Sequence, residues 1–186
     1  MLSVGITLSV IAPFFDTPSL KKKGKLVYYS PLFLAEKEKN GVITIHGATL
    51  FDYVYVIDRQ LSGKQRTTFV IQSYLEGVLA LINEYEALGT YSIKIKGTSY
   101  ILSKSTAKKL GFTEVKTDFV QKVILIYNYV NLALSHSIAK AKLSLPNFGN
   151  VRTFEAELST LVDKKQYMLQ LKEKLKNNTA NNTCSA

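Results

Sequence analysis

The sequence predicts a mixed fold, α/β or α+β: a largely antiparallel sheet flanked by helices, with two helices at the C-terminal end. Three observations point there. Short runs rich in β-branched and aromatic residues alternate with longer runs whose apolar residues recur every three or four positions. Asn40-Gly41 stands between two of the short runs and supplies the positive-φ pair of a tight hairpin. The chain has 186 residues, 46% hydrophobic and 20% charged, which is enough apolar material for one packed domain.

Taken in order, residues 25–35 read as a strand bent or ended near Pro31, because proline cannot donate to a ladder. After the charged turn at 36–41, residues 42–46 form the return strand. Residues 49–58, TLFDYVYVID, have the composition of a central strand. Residues 61–64 make a turn, and Thr67 or Thr68 can cap a helix that runs to Leu88 and stops at Gly89. A strand follows over 90–102, with Gly97 marking a bulge or break. Then come a short helix at 103–110 capped by Ser103 or Ser105, a stop at Gly111 and a short strand at 112–117. A long helix over 119–143 ends before the loop containing Pro146 and Gly149. A final amphipathic helix covers 153–176. The division predicted is a domain over 1–145, a C-terminal helix within 146–176 and a disordered tail at 177–186.

Two stretches are apolar enough to test for membrane association. Residues 1–15 are diluted by Ser3, Thr7, Ser9 and Pro13 and read as a buried strand, with an interfacial anchor as the rival given the KKKGK that follows. Residues 119–143 are long enough to span a bilayer, but Lys122, Asn128, Asn131, His136 and Lys140 interrupt them. Asn128, Asn131, Ser135 and His136 gather on one face, with Val123, Ile126, Tyr127, Val130 and Leu134 opposite. A packed amphipathic helix is expected, and binding of a protein partner or a membrane surface through it stays open.

Net charge is +10, from 24 basic and 14 acidic residues. That suits solubility or an anionic partner. The lysines lie in scattered groups, with no basic arm and no aromatic RNA-binding signature, so nucleic acid is not expected. The single cysteine, Cys184, has no partner for a disulfide or metal site, and a reducing, cytoplasmic setting is expected. No metal site is anticipated from the spacing of His, Cys and carboxylates.

The stretch Gln60-Leu61-Ser62-Gly63-Lys64-Gln65 lies between a predicted strand and a predicted helix. In that arrangement turn amides and the positive helix end can hold one anion. The stretch resembles the Q/R-x-x-G-x-G/A pyrophosphate loop of the GNAT acyltransferase superfamily, with Gln60 and Gly63 in place and Gln65 where a final Gly or Ala is usual. The downstream order is similar too: a helix, a strand, a short helix, then Leu110-Gly111-Phe112 entering another strand. The resemblance spans about residues 41–115. It implies an acyl-CoA ligand, acetyl-CoA among them, with Gln60, Gly63, Lys64, Gln65 and Arg66 at its diphosphate, and transfer of the acyl group to an amine of a small molecule or protein. The tyrosine that often protonates the departing thiolate has no counterpart, since Ala107 stands there.

Such a transfer needs a base, because an ammonium cannot attack a thioester. Asp58 is the candidate, with Asp52 and His46 as alternatives; Tyr100, or Tyr91, is the candidate acid. A non-enzymatic interaction domain using residues 119–143 is the other function class the sequence supports.

Overall fold

The computed structural model describes residues 19–183. The reading of residues 1–15 and that of Cys184 fall outside them. Six strands form one sheet: β1 (Leu26–Ser30), β2 (Phe33–Glu36), β3 (Val42–Gly47), β4 (Lys94–Ser99), β5 (Thr113–Val115) and β6 (Arg152–Glu157), in the spatial order β1-β2-β3-β4-β6-β5. Only β3 and β4 run parallel, with Ile43 opposite Ile95 and Ile45 opposite Gly97; every other pairing is antiparallel. The expected fold class is therefore the observed one.

The helices are α1 (Leu50–Val56), α2 (Gly63–Ala87), α3 (Lys104–Lys109), α4 (Phe119–Tyr127), α5 (Tyr129–Lys140) and α6 (Leu158–Thr183). On one face of the sheet, Ala35, Ile43, Ile95, Phe154 and Ala156 meet Leu75, Leu79 and Ile82 of α2 and Leu158, Leu161 and Met168 of α6. These two long helices also pack on each other. A second apolar cluster joins Leu32, Tyr53, Ile57, Val70 and Ala139, and so ties α1 and α5 to the first half of α2. Glycine permits the closest approaches: a β-carbon at Gly77 would run into the Phe33 ring, and one at Gly97 into Ile45. Gly97 thus lies within an unbroken β4, where the sequence suggested a bulge or break.

The strand read from residue 25 ends near Pro31, one of the two outcomes expected there, and residues 33–36 fold back as β2 with Leu26 opposite Glu36. Three expectations are corrected. Residues 49–58 are helical, not a central strand. Thr49 caps α1 and forms a capping box with Asp52, whose carboxylate accepts from the Thr49 amide at 2.8 Å and from the Tyr28 hydroxyl at 3.0 Å. Residues 153–157, read as the start of the last helix, belong to the inner strand β6, and α6 continues to Thr183 through much of the predicted tail. Finally, residues 119–143 are two helices that part at Asn128. The Asn40-Gly41 turn is as expected, with φ of 54° and 76°.

Candidate functional site

The stretch from Asp58 to Arg66 forms a tight turn into α2, and its polar groups are committed within the chain. Asp58 is exposed, and its Oδ1 accepts from the Gln60 amide at 2.8 Å, while its carbonyl accepts from the Leu61 amide. Ser62, not Thr67 or Thr68, is the cap of α2. Its amide donates to Gln65 Oε1 at 2.9 Å, its hydroxyl accepts from the Gln65 amide, and its carbonyl accepts from the Arg66 amide. The amides of Gln60, Leu61, Ser62, Gln65 and Arg66 are all paired in this way. Lys64 points outward from the first turn as an exposed side chain.

What faces the N-terminal end of α2 is the C-terminal end of α5. A β-carbon on Gly63 would collide with the Lys140 carbonyl. Thr67 Oγ1 lies 2.7 Å from the Gly63 carbonyl and 3.2 Å from that of Ala139. The Arg66 guanidinium donates from Nε to the Leu61 carbonyl (2.9 Å), from Nη1 to the Ile138 carbonyl (3.1 Å) and from Nη2 to the Arg59 carbonyl. The partial positive charge of one helix end and a guanidinium are thereby set against the partial negative charge of another helix end. Beside the junction lies an open groove of about 480 Å³, walled by Leu50 and Val54 of α1 and by Leu134, Ser137 and Ile138 of α5. It is largely apolar, and Arg66, the charged residue of its lining, is already spent on carbonyls.

A diphosphate cradle needs converging unpaired amides and a glycine that leaves room for the ligand. Here five of the seven amides from Gln60 to Arg66 are used, Gln65 closes a capping box and the glycine leaves room for Lys140. The residues from Gln60 to Arg66 therefore do not fit an acyl-CoA diphosphate.

The candidate acid and base each have other neighbours. Tyr100 follows β4 and packs edge-on against the His136 ring, with centroids 5.5 Å apart, and burial pushes its hydroxyl upward, away from proton release. Tyr53 and Tyr74 lie nearby with hydroxyls 3.4 Å apart, and burial raises both. Tyr91 is exposed. Asp52 is taken up by its cap, and His46 Nε2 lies 2.8 Å from Glu36 Oε1 on the hairpin. No group of three or more His, Cys, Asp or Glu residues suited to a metal ion occurs among the described residues.

The remaining unusual feature is α4. The second face of the sheet is polar where α4 crosses it: Thr98 and Thr153 pair across β4 and β6, and Lys94 binds Glu155 alongside. Accordingly α4 attaches by a polar contact. Gln121 Oε1 accepts from the hydroxyls of Thr98 and Thr153, both at 3.1 Å, and Thr117 joins the same network. On a helical wheel Phe119, Val120, Val123, Ile124, Ile126 and Tyr127 then occupy an outward arc of about 160°. No residue of α4 is buried, and Phe119 and Ile126 are 76% and 66% exposed. The arrangement reverses the amphipathic packing expected from the sequence. Asn131 and Ser135, assigned to the solvent side, are buried, whereas Val123, Ile126, Tyr127 and Leu134 are outside. The signal that could have shown this is the threonine face of the neighbouring strands, which gives an apolar helix nothing to bury against.

Comparison with family models, curated proteins and solved structures finds no match in any of the three.

Proposed function

We propose that this chain is a non-enzymatic interaction domain whose sheet and long helices serve as a scaffold for presenting α4. One observation carries the reading: a helix with no fully buried residue directs six large apolar side chains outward while a glutamine fastens it to the sheet. Contiguous apolar surface of that kind marks a binding face more often than a solvent face. Leu143 and Leu145, 87% and 65% exposed in the loop after α5, add to the apolar surface outside the core. Downstream of the loop the order of α2, β4, α3 and β5 resembles that of the GNAT superfamily, although α1 stands before the loop where a strand was expected. We assign the domain to a cytoplasmic setting, which its lone cysteine supports.

The test is a pair of variants, V123E and I126E. An apolar-sensing dye such as ANS should bind the folded wild type and lose most of its signal with either variant. Stability should change by no more than about 0.5 kcal/mol, as for other surface substitutions. A large loss of stability would mean that this face is buried, and the reading would fail.

A further inference from the structure

We infer that the partner of α4 is an anionic membrane surface, on which the helix lies flat with its outer arc among the acyl chains. This rests on the reading of α4 as a docking face and identifies what it docks on. No helix among the described residues is long and apolar enough to cross a membrane, so the contact would be interfacial. Charge decides the occupant. Exposed Lys116 and Lys122 lie just before and on α4, against one acidic residue there, Asp118. Of these, Lys122 sits on α4 itself, at the edge of its apolar arc, where a long side chain can reach headgroups while its stem stays among acyl chains. A second copy of the chain would bring the same lysines, and another net +10, against this set. Shape agrees: a protein groove commonly takes a narrower stripe of residues three and four apart, whereas the arc here is convex and wide. Lipids of the cytoplasmic leaflet supply the negative surface such a face requires.

The test is flotation of the full chain with two kinds of vesicle, phosphatidylcholine alone and phosphatidylcholine with about one third phosphatidylserine. The wild type should float with the anionic vesicles, and binding should fall at least about tenfold at 0.5 M salt or with neutral vesicles. The double variant V123E/I126E should lose binding, and K116Q/K122Q should weaken it, each with its melting temperature retained. Absence of flotation with anionic vesicles overturns the inference, as does flotation that ignores the glutamates and responds only to the lysines. A dimer in sedimentation that I126E dissolves, without lipid binding, would also overturn it and give the face to a second copy. If flotation fails while the dye result stands, only the membrane assignment falls; if the dye result fails, both fall.

Discussion

Gly63→Ala tests the account of the helix junction most directly. At the first position of a helix facing solvent, alanine in place of glycine should be neutral or stabilising, by up to about 1 kcal/mol, because the unfolded chain loses freedom. Here the new β-carbon meets the Lys140 carbonyl, which is backbone and cannot swing aside as a side chain would. Moving it means moving the last turn of α5. That turn also carries the Ile138 and Ala139 carbonyls, which contact Arg66 Nη1 and Thr67 Oγ1. Overpacking of this kind costs about 1–3 kcal/mol, which exceeds the gain and reverses its sign. For a chain of this size the net loss should appear as a melting temperature lower by about 2–8 °C. Thermal unfolding by circular dichroism, checked against urea denaturation, measures it, with K64A at the exposed neighbouring site as a control expected within about 0.5 kcal/mol. A G63A protein as stable as the wild type, or more so, would show that α5 does not seat on Gly63. The diphosphate cradle would then regain its glycine.

Three further outcomes are expected. Ala141 ends α5 with φ of 52°, a conformation that penalises a β-carbon, so A141G should raise stability by about 0.5–1 kcal/mol in urea denaturation. Arg66→Ala should cost about 1–3 kcal/mol, since three carbonyls lose a charged donor, and lysine should restore only part because it cannot fork. Base should unfold the protein cooperatively. Burial raises Tyr28, Tyr29, Tyr53, Tyr74, Tyr85 and Tyr100 above the ordinary 10.0, so above pH 10 the unfolded chain holds fewer protons than the native one and stability falls as pH rises. With no tryptophan in the chain, tyrosinate absorbance follows this directly; independent titration of these tyrosines near pH 10 without unfolding would contradict their burial.

Much of the fold was legible, and the failures have identifiable causes. The Asn40-Gly41 turn, the Ser103 cap with its stop at Gly111 and the face of α2 bearing Leu75, Val78 and Ile82 follow from local stereochemistry and periodicity, so they survive in the structure. The segment 49–58 misled because its aromatic and β-branched content favours a strand, while the Thr49–Asp52 box, reinforced by the Tyr28 hydroxyl from β1, starts a helix. In residues 152–157, Phe154 and Ala156 satisfy a period of two while Thr153 turns to the other face, a pattern too short to outweigh the helical one that follows. The glutamine-glycine loop misled for a different reason: an internal capping box and an anion-binding turn share residue types.

By itself the sequence determined the mixed sheet, the positions of most turns and the existence of the long helix that stops at Gly89, though it placed the start of that helix at Thr67 or Thr68 and not at Ser62. Local backbone preferences and apolar spacing suffice for these, because they act over a few residues. Only the tertiary structure decided what meets that helix start and which side of residues 119–140 faces outward. Both depend on elements distant in the chain: the carbonyls of Ile138, Ala139 and Lys140 take the place that a phosphate could have held. The hydroxyls of Thr98 and Thr153 turn Gln121 inward and leave Val123 and Ile126 in solvent.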